Sequence, residues 1–158
     1  MKAIVDTNVP VVANKAVQQA SSECVTRCAQ RLREVQDADT LVIDDGWHIL
    51  REYMNNLRSE GQPGAGDAFL KWVLTHRNNP LRCEQVSITP RNGSFVEFPD
   101  DPTLAGFDSS DRKFVAVALV HPEHPPILNA VDTDWWVYGE ALSRHGVQIQ
   151  FLCPEMMA

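Results

Sequence analysis

The sequence predicts an α/β fold, a three-layer sandwich with a central, mostly parallel β-sheet. Short apolar runs rich in β-branched residues alternate with longer stretches of helical periodicity along the chain. This alternation is typical of a parallel sheet covered by helices. The runs at 3–5, 41–43 and 127–131 also share one feature, because each leads into aspartate. With 158 residues, the chain is long enough for one domain with a substantial core, and we treat 1–158 as a single domain.

The first half of the chain alternates strands and helices. The predicted elements are a strand at 3–5, a helix at about 21–35, a strand at 41–43 and helices at about 45–61 and 67–76. Asp44 or Asp45 is placed to cap the helix after the second strand, and Gly61 is a typical residue for its end. We therefore expect that helix to begin at the carboxyl edge of the sheet.

Residues 62–108 are less regular and predict a helix followed by a hairpin. Two extended runs, "QVSIT" and "SFVEF", are joined by Pro-Arg-Asn-Gly, and Asn92-Gly93 between alternating apolar residues is a hairpin signal. Regular alternation resumes after this segment. The remaining predicted elements are a capped helix in "FDSSDRKFVAVALVH", a strand in "PILNAV", a helix in "WWVYGEALSRHG" ending at Gly146 and a last strand in "VQIQFL".

Charge and hydropathy limit the classes of partner. The net charge of −7 argues against long-range attraction to nucleic acid. It does not exclude a nucleic-acid enzyme, because carboxylates that bind divalent cations reverse their local charge. No apolar run approaches the length of a membrane span, and the start "MKAIVD" reaches an acid too early for a signal peptide. We expect a cytoplasmic protein with no membrane partner.

The four cysteines do not form a zinc pattern. Cys24 and Cys28 share a helical face, but no second close pair follows at Cys83 and Cys153. Disulfides are rare in the cytosol. We therefore expect four reduced, partly buried thiols without structural zinc.

Several acids lie where the predicted sheet would gather them. Asp6 follows the first strand and Asp132 follows the strand in "PILNAV", and in an open α/β sheet these carboxyl ends meet at the edge where ligands bind. Glu52 lies on the polar face of a helix that starts at the same edge. Asp111 opens the next helix, and Asp134 closely follows Asp132.

Each acid also has a purely structural explanation. Asp6 suits a turn or a helix N-cap, and Glu52 suits a solvated helix face. Asp108 and Asp111 have the spacing of a capping box, and Asp132 or Thr133 suits the cap of the last helix.

These local explanations do not account for the joint arrangement of the acids. Carboxylates gathered within a few ångströms repel one another, at a cost on the order of several kcal/mol when they are partly buried. A divalent cation that prefers oxygen ligands removes that cost. Mg²⁺ and Mn²⁺ fit this description and usually act on phosphates.

The chain resembles the PIN-domain ribonucleases over nearly its whole length. The motifs are "IVDTN", the glutamate-bearing helix "WHILREYMNNL", "FDSSDRKFVAVAL", "ILNAVDTDWW" and the final "VQIQFLCP". The resemblance implies a PIN-like, Rossmann-like sandwich and a catalytic, metal-binding quartet. The implied residues are Asp6, Glu52, Asp111 and Asp132, with Asp134 as a further metal ligand and Asn8 and Asp108 as auxiliary residues.

The same resemblance implies an activity and its partners. The activity is Mg²⁺- or Mn²⁺-dependent endonucleolytic hydrolysis of phosphodiester bonds in single-stranded or structured RNA. The partners are the RNA substrate, an antitoxin protein if the chain is the toxin of a toxin–antitoxin pair, and a second copy of the chain in a homodimer. Arg112 and Lys113 are either contacts to substrate phosphates or plain surface charges.

Two alternatives stay open. One is a non-catalytic PIN-like scaffold that binds RNA or protein. The other is a haloacid-dehalogenase-like phosphatase, which needs Asp-x-Asp after the first strand, whereas this chain has Asp6-Thr7-Asn8.

Overall fold

The structure is a computed structural model that describes residues 1–157. Within them, the β-strands are β1 Lys2–Val5, β2 Thr40–Asp44, β3 Cys83–Val86, β4 Pro90–Arg91, β5 Ser94–Phe95, β6 Ile127–Asn129 and β7 Ile149–Phe151. The α-helices are α1 Asn8–Ala13, α2 Ser22–Asp37, α3 His48–Asn56, α4 Ala65–His76, α5 Arg112–Val120, α6 Thr133–Val137 and α7 Gly139–Arg144. Short 3₁₀ turns cover Pro102–Leu104, Ser109–Asp111 and Pro154–Met156.

Five strands form a central sheet in the order β3-β2-β1-β6-β7, and every pair in it is parallel. Helices flank this sheet: α1, α2 and α4 pack together as one group, and α3 packs against α5. The predicted α/β three-layer sandwich is confirmed. Because the strand order reverses direction at β1, the carboxyl ends of β1 and β6 lie at the switch point where such sheets bind ligands.

The apolar runs in the sequence correspond to strands buried on both faces. Ala3, Ile4 and Val5 of β1 have no exposed surface, and neither do residues 41–43 of β2. A parallel sheet covered by helices requires such continuous apolar strands, because neither face meets water. None of the helices in residues 1–157 is long and apolar enough to cross a membrane.

At the start of α3 one of the two predicted acids contacts the helix, whereas the end of α3 differs from the prediction. Asp44, rather than Asp45, accepts the backbone N–H groups of His48 and Ile49, both at 2.9 Å. The helix ends at Asn56 instead of continuing to Gly61. Leu57 is already extended, because the carboxylate of Asp67 at the start of α4 accepts the next N–H, that of Arg58, at 2.8 Å.

The hairpin is present but shorter than predicted. β4 and β5 have two residues each and pair antiparallel around Asn92 and Gly93. These two residues have φ values of 50° and 75°, as a two-residue hairpin turn requires. The start of the run "QVSIT" belongs instead to β3, which adds an edge strand parallel to β2. The predicted last helix is also divided, into α6 and α7.

The expectation of four free thiols is wrong for two of them. Cys24 of α2 and Cys153 after β7 form a disulfide bond, whereas Cys28 and Cys83 are buried free thiols. Rules based on close cysteine spacing do not detect a pair separated by 129 positions. Only the fold, which brings the chain after β7 against α2, makes this pairing visible.

Candidate metal centre

Three of the predicted acids converge. One carboxylate oxygen from each of Asp6, Asp111 and Asp132 lies within 4.8 Å of the other two. They come from the end of β1, the 3₁₀ turn before α5 and the loop after β6. Asp6 is 2% exposed, and Asp111 is also buried. The switch point of the sheet therefore carries a compact cluster of three carboxylates.

The pairing of β1 with β6 places Asp6 in this cluster. Val5 lies opposite Leu128 in the register of the two strands, and the N–H of Asp6 donates to the Leu128 carbonyl at 3.0 Å. Beyond β6, the chain turns where Asp132 caps α6 by accepting the N–H of Asp134 at 3.0 Å. The strand register therefore determines the position of Asp6, and the helix cap determines that of Asp132.

Two amides hold the carboxylate of Asp6. The side-chain N–H groups of Asn8 and Asn129 both donate to Oδ2 of Asp6, that of Asn129 at 2.9 Å. Asn8 also accepts the N–H of Ala130 at 2.7 Å, which ties α1 to the loop after β6. Asn8 therefore lies where the sequence predicted an auxiliary residue. Asn129 was missed, although an amide within the apolar run "PILNAV" was a signal for it.

The electrostatics of the cluster disfavour three bare carboxylates. Burial, reinforced by the charges of Asp132 and Glu52, raises the pKa of Asp6 well above its ordinary value. Burial and the neighbouring Asp6 and Asp132 raise the pKa of Asp111 to about 9. Burial also raises the pKa of Asp132, which is hydrogen-bonded to Asp111. At neutral pH the metal-free cluster retains protons, and a cation would replace them.

Glu52 lies beside the cluster rather than within it. Its Oε1 is 2.8 Å from Nζ of Lys113, and its Oε2 accepts a hydrogen bond from the Thr7 hydroxyl. Its charge still contributes to the raised pKa of Asp6. The structure therefore brings Glu52 to the right edge of the sheet but pairs it with Lys113 from α5. Neither Thr7 nor Lys113 was predicted to hold it.

The sequence predicted a capping box formed by Asp108 and Asp111. In the structure, Asp108 and Asp134 make its two hydrogen bonds. Asp108 accepts the N–H of Ser110 at 2.9 Å, as an N-cap does. The N–H of Asp108 itself donates to Oδ2 of Asp134 at 3.0 Å. In a capping box, the carboxylate of Asp111 would accept that N–H. Since Asp134 takes this contact, Asp111 faces Asp6 and Asp132 instead, and Asp134 stays outside the cluster.

The two tryptophans of "DTDWW" differ in their surroundings. Trp135 is fully buried and packs edge-on against Phe107, with ring centroids 5.0 Å apart. Trp136 is 46% exposed and contacts Phe151. Trp135 therefore belongs to the core behind Asp132, whereas Trp136 lies partly at the surface.

Arg112 is not a free contact for phosphates. Its guanidinium donates to the carbonyls of Ala105 and Phe107 at 2.9 and 3.0 Å and lies over the ring of Phe98, 4.6 Å from the centroid. It also donates to the hydroxyl of Ser94 at 3.3 Å. Arg112 therefore fastens the hairpin to the loop that precedes α5.

The donor set fits a hard divalent cation. All three donors are carboxylate oxygens, which Mg²⁺ and Mn²⁺ prefer. A second group of potential ligands, the sulfurs of Cys24, Cys28 and Cys153, also lies within 4.8 Å. Two of these sulfurs are joined in the disulfide and offer no thiolate. The carboxylate cluster is therefore the better candidate for a metal centre.

Comparison of the chain with known protein families, curated proteins and solved structures found no match. The resemblance to PIN-domain ribonucleases therefore rests on the quoted motifs alone.

The raised pKa values predict how stability depends on pH without metal. The pKa of Asp111 is about 9 in the fold against an ordinary value of 3.8. Between these values the folded state binds more protons than the unfolded state, so the free energy of unfolding decreases as pH rises. We expect urea denaturation in EDTA to give a decreasing midpoint from pH about 5 to about 9.

Two comparisons test the cause of this pH dependence. The urea midpoint of Asp111→Asn should change less with pH than that of the wild type. Saturating Mn²⁺ should raise the wild-type midpoint at high pH, where the acids are ionised. A wild-type midpoint that stays constant over this interval in EDTA would contradict the described electrostatics.

Proposed function

We propose that the protein is a metal-dependent endoribonuclease that hydrolyses phosphodiester bonds at the carboxylate cluster. The observation that carries the proposal is the convergence of Asp6, Asp111 and Asp132 at the switch point of a parallel sheet. Burying mutually repelling carboxylates destabilises a fold unless a cation or protons compensate them. A bound divalent cation would compensate this repulsion when the three acids are ionised.

Asp6, Asp111 and Asp132 would hold Mg²⁺ or Mn²⁺. When bound, the cation supplies Lewis-acid polarisation of the phosphoryl group and lowers the pKa of bound water. Asn8 and Asn129 orient the carboxylate of Asp6 through its Oδ2. Such hydrogen-bonded partners of metal ligands typically affect metal affinity or activity by about 10–100-fold.

Glu52 and Lys113 form the charged rim of this site. The carboxylate of Glu52 contacts Thr7 and Lys113, and in the proposed reaction it would orient the attacking water. The ammonium of Lys113, which contacts Glu52 and the Ser110 carbonyl, would use its remaining N–H for a non-bridging phosphate oxygen. In this proposal Glu52 supports the reaction from beside the metal ligands.

The PIN-domain resemblance extends the proposal to a biological setting. A toxin of a toxin–antitoxin pair would act on cytoplasmic RNA, form a homodimer and be inhibited by an antitoxin protein. This extension rests on the quoted sequence motifs.

The two alternatives differ from a nuclease in observable ways. A non-catalytic scaffold would bind RNA or protein, and the wild type would show no cleavage of RNA with Mn²⁺ or Mg²⁺. A haloacid-dehalogenase-like phosphatase needs a second acid at position 8, where Asn8 instead donates its amide N–H to Asp6. The structure therefore favours the nuclease over the phosphatase.

The test combines cleavage with metal binding. We expect wild-type protein to cleave a mixed pool of RNA with Mn²⁺ or Mg²⁺ and to lose this activity in EDTA. Mn²⁺ should also raise the melting temperature, since a ligand at 100 times its Kd stabilises the fold by about 2.7 kcal/mol. A melting temperature unchanged up to millimolar Mn²⁺ would reject the metal centre.

A further inference from the structure

A groove of about 550 Å³ opens between α3 and the β4–β5 hairpin. Glu52 and Lys113, at the rim of the carboxylate cluster, also line this groove. The groove therefore leads to the site at which the proposed reaction takes place. Its volume lies within the range of ligand sites, about 300–1,000 Å³.

The groove is locally basic in an acidic protein. Its charged lining residues are Arg51, Glu52, Arg91 and Lys113, against a net charge of −7 for the whole chain. Since Glu52 and Lys113 pair with each other, Arg51 and Arg91 supply the excess positive charge. Both arginines are exposed, and neither forms an ion pair with another residue among 1–157.

The two arginines face the groove from different structural elements. Arg51 belongs to α3 and Arg91 to β4 of the hairpin. The hairpin wall is fixed, because Arg112 donates to the hydroxyl of Ser94 in β5 at 3.3 Å. A polyanion that enters the groove would meet positive charge on both walls.

An aromatic surface accompanies this charge. Phe95 lines the groove and meets His48 edge-on, with ring centroids 5.3 Å apart. Grooves that bind single-stranded nucleic acid combine basic side chains along the backbone with aromatic rings on which bases stack. Double-stranded RNA is recognised differently, by the shape of its wide minor groove.

We propose that this groove binds a single-stranded segment of RNA next to the bond that is cut, with Arg51 and Arg91 contacting its phosphates and Phe95 offering a ring to a base. The proposal rests on the proposed ribonuclease function and adds the strand class and the path of the substrate. The proposed substrate is single-stranded RNA, and the test below also measures binding of duplex RNA.

Binding is measured in the Asp111→Asn background, so that the RNA stays intact. The probe is a fluorescently labelled single-stranded oligoribonucleotide of mixed sequence, followed by anisotropy over a range of salt concentrations. The variants are Arg51→Gln, Arg91→Gln and the double substitution. Arg33→Gln is the matched control, because Arg33 is an exposed arginine of α2 that does not line this groove.

We expect each groove substitution to weaken binding by up to about fivefold, the scale of exposed charge pairs. The slope of log K against log salt concentration should shrink by about 0.7 for each arginine removed, because each releases one phosphate contact. The control should change neither quantity. Wild-type affinity and salt slope in the double variant would overturn the proposal, and so would equally tight, equally arginine-dependent binding of duplex RNA.

The proposal that the groove binds RNA and the proposal that the protein cleaves RNA can be rejected independently. If wild-type protein does not cleave RNA with Mn²⁺ while binding still depends on Arg51 and Arg91, the groove assignment stands and the catalytic proposal fails. If cleavage occurs and the double variant keeps the wild-type KM, the catalytic proposal stands and the groove assignment is overturned.

Discussion

Asp111→Asn should lower metal-dependent cleavage of RNA by at least about 10²-fold, the scale on which losing one electrostatic contact to a transition state lowers kcat. The metal-free variant should be as stable as the wild type or more stable. The substitution removes a buried acid whose pKa is raised to about 9 by burial and by Asp6 and Asp132. Removing that acid relieves repulsion in the absence of a cation and removes a ligand in its presence.

The loss of activity with retained stability distinguishes a metal ligand from a helix cap. If Asp111 acted as a capping residue, its replacement would cost about 1 kcal/mol of stability and leave cleavage intact. In the structure, the N–H that a capping box would assign to it is bonded to Asp134. The measurements are chelator-sensitive cleavage and urea denaturation in EDTA.

Asp108→Asn is the matched control on the same turn. Asp108 caps Ser110 and lies outside the three-carboxylate cluster. Asparagine caps helices nearly as well as aspartate, so the cost should stay below about 1 kcal/mol and most activity should remain. Equal cleavage by wild type and Asp111→Asn would refute the assignment of Asp111 as a ligand.

The layers of the fold were predictable because local patterns and burial agree. Strands buried on both faces must be continuously apolar, and the runs that form β1, β2 and β6 were recognised in this way. The edge strand β3 was not. The start of β3, Cys83-Glu84, carries a charge and extends the sheet at its edge, so its pattern did not identify it. The end of α3 was also missed, because a carboxylate from α4, that of Asp67, takes the N–H of Arg58.

The site was predictable where strand topology determines it. Asp6 and Asp132 follow β1 and β6, and parallel pairing brings the ends of these neighbouring strands together whatever their separation in sequence. The position of Glu52 relative to the cluster depends on side chains from other elements, Thr7 and Lys113. Contacts of this kind leave no periodic signal in the sequence.

The disulfide is a second long-range feature, and its removal should have a large effect on stability. Cys24 and Cys153 are separated by 129 positions, so the bond closes a loop that spans most of the chain. In the chain-entropy account, such a bond restricts the unfolded state more as the loop lengthens, and typical effects are about 2–5 kcal/mol. We expect Cys153→Ala to lower the free energy of unfolding by about this amount.

The pairing should not exchange with the neighbouring thiol. The sulfur of Cys28 lies within 4.8 Å of both bonded sulfurs. Burial raises the pKa of the Cys28 thiol to about 12, so it stays protonated near neutral pH. Thiol–disulfide exchange requires a thiolate, and Cys24–Cys153 should therefore persist as the single bond in non-reducing buffer.

Urea denaturation with and without reductant tests the contribution of the disulfide. Reductant should shift the midpoint of the wild type toward that of Cys153→Ala and should leave the variant unchanged. Cys83→Ala is the control, because Cys83 is a buried free thiol: it should lose packing energy but keep its response to reductant. A wild-type midpoint that is the same with and without reductant would contradict a stabilising disulfide between Cys24 and Cys153.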